Sequence, residues 1–342
     1  MTSISAAQGA ASPVDFEAFG DYGDFSKKPD GQQAEPPAKF VRAPYPFRGR
    51  ISADGSSGYR AEPGRYHLYI SWACPWAHRS AIVRQLLGLQ DIISLSAVDP
   101  VRDGRGWAFR DGDDFAPDPV NGFALLREAY EATAPGYDGH ISVPVLWDRQ
   151  AGRIVSNNFP DITIDMETQF GQWTAGAPQL YPRELRPQID AINETVYDGV
   201  NNGVYRTGFA RSQAEYHQGV TAVFATLDQL EERLAGQRYL VGNTLTEADV
   251  RLWVTLARFD AVYYSHFKTN IRRITDYPAL WAYARDLYAR PAFRETTNFG
   301  QIKRHYYRTH PQLNPTRIVP DGPDLDWDSP HGRAQLAGSG RG

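Results

Sequence analysis

The sequence predicts two domains, an α/β domain followed by an all-helical domain. The chain has 342 residues, more than the one core of about 100–200 residues that is usual for a single domain. Hydrophobic residues make up 42% and charged residues 22%, which describes a globular chain with ample core. Strand-like and helix-like patterns alternate in the first half, and only helix-like spacing follows from about residue 184. We therefore expect domains at 37–172 and 184–320.

Both ends of the chain are expected to lie outside these two cores. Residues 1–36 are rich in Gly, Pro, Ser and charge, which predicts a poorly ordered segment. Residues 37–64 share much of this composition and are expected to form a strap that leads into the first domain. Residues 321–342 are rich in Gly, Pro and Asp. We expect this tail to lie on the surface or to fray.

The first domain is predicted to have the element order β-α-β-α-β-β-α. RYHLYIS (65–71) is typical of a strand through its Tyr, Leu and Ile content. Pro75 suits a first helical turn, and the apolar residues after it repeat at helical spacing until Gly88. Further strands are expected at 91–100, 141–148 and 152–157, and further helices at 121–135 and from about 159. This order, with a thiol at the first junction of strand and helix, is that of a thioredoxin-like fold.

The second domain is predicted to be a helical bundle. The run LTEADV predicts a helix start in which Thr246 is the cap, Asp249 occupies the third helical position and Leu245 provides a hydrophobic staple. Apolar residues form two stripes at helical spacing. These stripes are Val220, Val223, Phe224, Leu227, Leu230 and Leu234 in one helix, and Leu252, Leu256, Phe259 and Tyr263 in another.

Composition and charge exclude several classes of function. A net charge of −4 and a pI near 6.1 argue against nucleic acid or an anionic membrane as a partner. No run of about 18 apolar residues occurs, and the N-terminus lacks the basic start and apolar run of a signal peptide, so we expect a cytoplasmic protein without a membrane partner. The single cysteine allows no internal disulfide, no CxxC redox pair and no multi-cysteine zinc site.

The one cysteine, Cys74, is a candidate nucleophile because it comes directly before the predicted helix. A helix N-terminus presents unpaired backbone N–H groups and positive potential, which lower the pKa of a thiol. Two alternatives remain open. Cys74 could act as a small buried hydrophobe, or it could bind a metal ion together with His78 four residues later. We expect His78 and Arg79 to face solvent or to supply positive potential, and we expect no metal.

The segment ISVPVL contains the second candidate for the site. In thioredoxin-like folds the proline before the third strand is commonly cis, and the backbone of the preceding residue can pair with an extended peptide-like ligand. We therefore expect a cis bond at Pro144 and a role for Val143 in holding a cysteinyl substrate beside Cys74. The alternative is an edge-strand proline without a ligand.

Several motifs together resemble one family, the glutathionyl-hydroquinone reductases or Xi-class glutathione transferases. They are SWACPWAHR (71–79), VPVLWD (143–148), NNGVY (201–205) and IKRHYY (302–307). The resemblance covers about four-fifths of the chain. It implies an enlarged all-helical glutathione-transferase C-terminal domain and a homodimer formed largely through it. It also implies a reaction in which a cysteine attacks the sulfur of a glutathionyl-hydroquinone and a second glutathione resolves the mixed disulfide.

The resemblance also implies roles for individual residues. Cys74 matches the nucleophile, and Tyr205 matches the tyrosine that exchanges a proton with the aromatic leaving group. Tyr263 and Tyr306 match tyrosines that line the aromatic pocket and keep the cysteine sulfur ionised. Trp107 and Val143 match positions that hold the thiol. The chain has 19 tyrosines, so the motif match alone separates these three from core tyrosines.

The sequence departs from the family where glutathione is bound. The family has SNES after the fourth strand, whereas this chain has SNNFPDI, with Asn158 and Phe159 in place of the acid and the hydroxyl. His140 stands where many relatives have Arg. These changes raise the hypothesis that the thiol is not glutathione but another low-molecular-weight thiol such as mycothiol, with Asn158 donating hydrogen bonds and Phe159 stacking on the sugar. The alternative is that Asp161 or backbone groups make the glutathione contact.

The function with the best support is thus a thiol-dependent reductase that acts on a small aromatic thioether or mixed disulfide. A second hypothesis is a general thioltransferase, dehydroascorbate reductase or deglutathionylase, which would use Cys74 without the aromatic pocket. A third is a binding protein without catalysis, because a fold alone does not determine function.

Overall fold

The computed structural model of the chain describes residues 9–23, 42 and 44–338, and these form two compact units. The first unit contains 9–23, 44–175 and 300–318 of these residues. The second contains residue 42, 176–299 and 319–338. Of the N-terminal segment expected to be poorly ordered, residues 1–8 and 24–36 lie outside the described residues. The domain ranges expected from the sequence stay a prediction.

The first unit has the predicted order of elements. After a short helix α1 (Phe16–Phe19), its elements are β1 (Tyr66–Ile70), α2 (Pro75–Leu86), β2 (Ile93–Ala97), α3 (Arg127–Thr133), β3 (Val145–Asp148), β4 (Arg153–Ser156) and α4 (Phe159–Gln169). The four strands form one sheet in the order β2-β1-β3-β4. β1 is parallel to β2 and antiparallel to β3, and β3 is antiparallel to β4. The thioredoxin-like fold is therefore confirmed.

Helix α3 is shorter than its sequence pattern predicted, because the chain before it is held in a loop. It begins at Arg127 instead of residue 121. The Asp118 carboxylate accepts hydrogen bonds from the N–H groups of Asn121 and Phe123, at 3.0 and 3.2 Å. Gly122 between them has φ +70°, a left-handed conformation that a helix cannot include. The Tyr69 hydroxyl on β1 donates to the Asp118 carboxylate at 3.0 Å, so a contact with a distant strand overrides the local helical pattern.

A buried histidine lies at the centre of the sheet. His67 on β1 is hydrogen bonded through both ring nitrogens to the hydroxyls of Ser94 and Ser96 on β2, at 2.7 and 2.8 Å. Burial, with a smaller contribution from the positive charges of Arg149 and Arg84, lowers the pKa of His67 to about 3. The folded protein therefore keeps this ring neutral at pH values where the unfolded chain protonates it.

We expect this histidine to make the protein sensitive to acid. Its pKa is about 6.5 in an unfolded chain, so only the unfolded state binds the proton as the pH falls from about 6.5 towards 3. The free energy of unfolding should therefore fall by about 2 kcal/mol between pH 8 and pH 5 on account of this residue. His67→Gln should remove that part of the pH dependence in urea titrations, whereas His217→Gln, at an exposed position, should leave it. An unchanged slope in His67→Gln would contradict the assignment.

The second unit is helical, as predicted. Its helices are α5 (Arg186–Val196), α6 (Gly203–Gly208), α7 (Gln213–Gly236), α8 (Glu247–Arg258), α9 (Pro278–Tyr288) and α10 (Pro291–Arg294). The last helix, α11 (Phe299–Thr309), belongs to the first unit from residue 300 onward. Two π-helical turns, Tyr197–Asn201 and Phe259–Tyr263, interrupt the α-helical pattern. The predicted stripes are buried, and Thr246 and Asp249 form the predicted capping box.

The tail is anchored more firmly than its composition indicated. Most of the described residues from 321 to 336 are exposed or half-buried, but Trp327 and Arg333 are buried. The Trp327 ring lies 4.7 Å from that of Trp281 and 5.4 Å from that of Phe299. Two side chains of the tail that was expected to lie on the surface or to fray are thus buried, and the Trp327 indole contributes the apolar area that packs there.

Within the described part of the chain, none of the helices has the length and apolarity that crossing a bilayer requires.

Candidate active site

Cys74 is the residue at which the loop after β1 becomes helix α2. Its φ and ψ of −77° and 121° are extended, so it is the N-cap, and Pro75 occupies the first helical position as predicted. The Cys74 N–H donates to the Ser71 carbonyl at 3.0 Å, and the Cys74 carbonyl accepts from the His78 N–H at 2.9 Å. The side chain is 9% exposed. Little of Cys74 is therefore open to a reagent.

Val143 and Pro144 lie beside this thiol. The Cys74 Sγ is 3.6 Å from the Val143 carbonyl oxygen, and the Val143–Pro144 peptide bond is cis, as expected. Both residues are buried. The structure thus brings together three of the residues that the sequence selected, with the cysteine sulfur next to a main-chain oxygen.

A buried tyrosine that the sequence analysis did not select supports this loop. The Tyr130 hydroxyl donates to the Ser142 carbonyl at 2.8 Å and accepts from the Ser142 N–H at 3.1 Å. The Asn157 side chain donates to the same hydroxyl at 3.2 Å. Burial raises the pKa of Tyr130, so it remains a neutral phenol that can donate and accept. These bonds take up the polar groups of Ser142, which explains why β3 begins at Val145 instead of residue 141.

Of the two roles expected for His78 and Arg79, exposure to solvent was wrong, and a contribution to positive potential stays a prediction. Both residues are buried, and Arg79 is 1% exposed. The Arg79 guanidinium lies over the rings of Trp76 and Phe159, at 4.6 and 5.0 Å. Helix α2 packs against α4, and the guanidinium is stabilised between the two helices by these aromatic faces. Among the described residues no group of three or more His, Cys, Asp or Glu side chains could hold a metal ion.

Phe159 does not offer the exposed stacking face that the mycothiol hypothesis assigned to it. The side chain is 2% exposed. Its ring centroid lies 4.7 Å from that of Trp76 and 5.5 Å from that of Tyr45. The reason is that the first turn of α4 faces α2, so the aromatic residue at its start becomes part of the packing between the two helices.

Asn158 occupies the N-cap position of the same helix, and its polar groups have partners within the protein. Its side-chain amide donates to the Asp161 carboxylate at 2.6 Å, and its backbone N–H donates to the Ser156 hydroxyl at 3.0 Å. Asp161 also faces the guanidinium groups of Arg48 and Arg50, at 3.6 and 3.5 Å. The polar side chains at the start of α4 therefore have hydrogen-bond and ion-pair partners within the protein.

Trp107 and His140, both expected to contact the thiol, meet in one cluster of the first unit. The Trp107 ring is stacked on that of His305, with centroids 5.3 Å apart and an angle of 15° between the planes. The Arg102 guanidinium lies 4.3 Å from the Trp107 ring and 3.7 Å from the Tyr22 ring. The Tyr22 hydroxyl is 3.3 Å from His140 Nδ1. Tyr22 lies in the segment expected to be poorly ordered and was not among the site residues predicted from the sequence.

The three tyrosines of the predicted aromatic pocket are divided between the units. Tyr306 lies on α11 in the first unit, buried, with its ring 5.1 Å from that of His305. Tyr205 and Tyr263 lie in the second unit, with their rings 6.0 Å apart and each 5.3 Å from that of Phe267.

Each of the two tyrosines in the second unit lies next to a π-helical turn. Such turns occur frequently at functional sites, because the extra residue redirects the side chains around it. Tyr263 ends the turn that begins at Phe259, and Tyr205 lies in α6, which follows the other turn. The Arg42 guanidinium lies 5.1 Å from the Tyr205 ring and donates to the Asn202 side-chain oxygen.

Comparison with known proteins places this constellation in one family. The model of the glutathione S-transferase C-terminal domain matches residues 213–286. The glutathionyl-hydroquinone reductase PcpF of Sphingobium chlorophenolicum is 47% identical over 83% of this chain and 90% of its own length. The glutathione-bound structure of YqjG, a glutathione transferase homolog from Escherichia coli, superposes with a TM-score of 0.82 and 46% identity over 84% of this chain and 96% of that one.

A third comparison extends the match to the Xi class by name. The Xi glutathione transferase of Phanerochaete chrysosporium has a TM-score of 0.80 and 46% identity, over 83% of this chain and 97% of that structure. A fold shared at this level of identity, over nearly the whole of each relative, defines a glutathione transferase. The chain belongs to the Xi-class family, which includes the glutathionyl-hydroquinone reductases.

Proposed function

We propose that this protein is a thiol-dependent reductase that releases hydroquinones from their thiol conjugates. The observation that carries the proposal is the place of the only cysteine. Cys74 stands at the start of α2 with its sulfur beside the Val143 carbonyl, in a chain 47% identical to a glutathionyl-hydroquinone reductase. A single thiol is sufficient if the resolving thiol comes from a second molecule of the co-substrate.

The first step of the proposed reaction is attack by the Cys74 thiolate on the sulfur of the conjugate. The bond between that sulfur and the ring carbon breaks, and its electron pair stays with the carbon, which takes a proton. The products are the free hydroquinone and a mixed disulfide on Cys74. The N–H groups and dipole at the start of α2 favour the thiolate that this step requires.

The second step restores the enzyme. A second thiol molecule attacks the mixed disulfide at the sulfur of the first, which forms the thiol disulfide and releases Cys74 as thiolate. The aromatic ring is reduced by two electrons and two thiol molecules are oxidised, so no other reductant is needed. We assign Val143 to pair through its backbone with the cysteinyl part of the thiol, since its carbonyl already lies at the sulfur.

Three tyrosines are assigned to the aromatic part of the substrate. A phenol with a pKa of about 10 can donate a proton at neutral pH, so Tyr205 is proposed to protonate the ring carbon of the leaving group. Tyr263, packed on Tyr205 and Phe267, is proposed to form a wall against the flat ring. Tyr306 is proposed as a further wall and as a donor to the sulfur.

We propose glutathione as the thiol, with mycothiol as the alternative to be tested against it. A relative of known structure binds glutathione, and Phe159 is packed inside the protein instead of facing a sugar. The bonds between Asn158 and Asp161 leave the amide with an internal partner. We also propose a homodimer, since the family resemblance implies dimerisation through the helical domain. We further propose that the protein is cytoplasmic.

Product analysis tests this proposal. Purified protein with a glutathionyl-hydroquinone and glutathione should form hydroquinone and glutathione disulfide in a one-to-one ratio, as measured by liquid chromatography. Calorimetric titration with glutathione and with mycothiol should show binding of glutathione. Consumption of the conjugate without glutathione disulfide would contradict the reaction, and binding of mycothiol alone would contradict the choice of thiol.

A further inference from the structure

Residues 9–23, which we name the N-terminal arm, lie along the segment between β2 and α3. The Ala11 N–H donates to the Phe109 carbonyl at 2.8 Å, and the Gly104 N–H donates to the Gly20 carbonyl at 2.9 Å. These main-chain bonds are spaced along most of the arm. They attach it to the same segment that carries Trp107.

This segment has features that accommodate the arm. A Cβ atom on Gly104 would lie 2.0 Å from the Phe19 carbonyl oxygen, so only glycine permits the observed approach of the two backbones. The buried Asp103 carboxylate accepts from the Asp15 N–H at 3.1 Å. The Arg105 guanidinium donates to carbonyl oxygens at the start of the arm. Gly104, Asp103 and Arg105 thus attach the arm through a close backbone approach, an accepted hydrogen bond and donated hydrogen bonds, respectively.

The arm ends in a stack that leads to the predicted thiol site. The Tyr22 ring covers the Arg102 guanidinium at 3.7 Å, Arg102 lies 4.3 Å from the Trp107 ring, and Trp107 is stacked on His305. The Tyr22 hydroxyl also reaches His140 Nδ1 at 3.3 Å. Tyr22 therefore contacts His140 directly and contacts Trp107 through one intervening side chain.

The chemistry of Tyr22 suits a supporting role. Burial raises the pKa of Tyr22 more than the neighbouring Arg102 lowers it, so the phenol stays neutral and keeps its hydrogen bond at physiological pH. A guanidinium between two aromatic rings is favoured by attraction to both π faces, and it restricts the motion of both rings. Holding Trp107 in this way reduces the freedom that a ligand would otherwise have to remove on binding.

We propose that Tyr22 is a positioning residue of the thiol site, acting on Trp107 through Arg102 and on His140 by direct contact. The inference rests on the proposed function, because it takes Trp107 and His140 as residues that hold the thiol. The ligand whose binding it supports is a low-molecular-weight peptide thiol. Tyr22 takes no part in the attack by Cys74, and its effect is on thiol binding.

Steady-state kinetics separate this role from a structural one. Tyr22→Ala is expected to raise the KM for glutathione about fivefold to tenfold and to leave kcat within twofold. Tyr22→Phe keeps a ring over Arg102 and should stay within about threefold of the original KM. Phe19→Ala is the matched control, because its ring lies 3.8 Å from another guanidinium of the same loop, that of Arg105, and is half exposed. It should leave both constants unchanged.

Gly104→Ala tests the same inference without altering any side chain of the stack. The added methyl group would displace the arm at Phe19, so the KM for glutathione should rise as in Tyr22→Ala. A KM in Tyr22→Ala equal to or below that of the original protein would overturn the inference, as would an equal rise in Phe19→Ala.

Direct binding keeps this result distinct from the proposed function. Calorimetric titration of glutathione into Cys74→Ser, with and without Tyr22→Ala, should show the loss of affinity in the absence of turnover. An unmodified protein that fails to cleave conjugates would refute the proposed function. An active protein whose glutathione affinity does not depend on Tyr22 would refute only the role of the arm.

Discussion

Cys74→Ser is expected to lower kcat/KM at least about a thousandfold for thioether and disulfide substrates alike. Serine is nearly the same size as cysteine, so its hydroxyl can occupy the place beside the Val143 carbonyl. A hydroxyl is not ionised at neutral pH, even at a helix N-terminus, and oxygen does not replace a thiolate in attack on sulfur. The measurement is the initial rate with a glutathionyl-hydroquinone and with a simple mixed disulfide.

Cys74→Ala provides the matched comparison for this experiment. It removes the heteroatom altogether, so any activity that serine retained through its oxygen would disappear in alanine. Both variants should keep the thermal unfolding midpoint of the original protein within a few degrees, because the substitution changes the volume of one small side chain only slightly. Full rates in either variant would show that the only thiol in the chain is not the nucleophile.

Tyr205→Phe is expected to separate the two classes of substrate. Cleavage of a hydroquinone thioether leaves an electron pair on carbon that must be protonated, whereas cleavage of a disulfide releases a stable thiolate. Loss of a general acid lowers a rate by about 10² to 10⁴. We therefore expect kcat for the thioether to fall by at least about a hundredfold, while kcat for the disulfide stays within about threefold.

The substitution should preserve the surroundings of the ring. The contacts of the Tyr205 ring with those of Phe209, Tyr263 and Phe267 do not depend on the hydroxyl. Tyr264→Phe is the matched control, a half-buried tyrosine in the same unit, and should alter neither rate. Equal losses for both substrates would contradict the assigned role. Retention of the original rate with both substrates would favour the general thioltransferase hypothesis.

The features that could be predicted from sequence are those that depend on near neighbours in the chain. The strand before Cys74, the proline after it and the capping box at Thr246 and Asp249 each use residues within a few positions of one another. The stripe in α7 also follows from helical spacing alone. Such patterns restrict the fold, because a given order of strands and helices can bury its apolar faces in only a few arrangements.

The features that were missed depend on partners far away in sequence. Arg79 is buried because Phe159, eighty positions later, lies against the same guanidinium. Phe159 is in turn unavailable to a ligand for that reason. α3 begins late because Asp118, which caps the preceding loop, is held by the Tyr69 hydroxyl, and Tyr130 fixes a loop twelve residues away. A charged or aromatic residue shows in the sequence what it could bind, and only the packing determines whether it faces solvent.

The arm shows the same limitation for composition. A segment rich in Gly, Ser and charge was expected to be poorly ordered, yet residues 9–23 are attached to the loop before α3 by main-chain hydrogen bonds. Main-chain groups can form such bonds whatever the side chains are. The one pattern that could have indicated this is GRGWAF, where Gly104 gives the arm room for its close approach. Glycine in such a position marks a backbone contact but does not identify the contacting segment.

The mass of the protein after reaction with the conjugate alone decides whether Cys74 attacks sulfur. The protein is mixed with a glutathionyl-hydroquinone in the absence of free thiol, quenched with acid, and analysed by intact and peptide mass spectrometry. We expect the mass of one glutathionyl group on Cys74, removable by a reductant, together with one equivalent of free hydroquinone. An adduct that carries the aromatic ring would show attack on carbon, and an unmodified Cys74 with hydroquinone released would show that the thiol does not act.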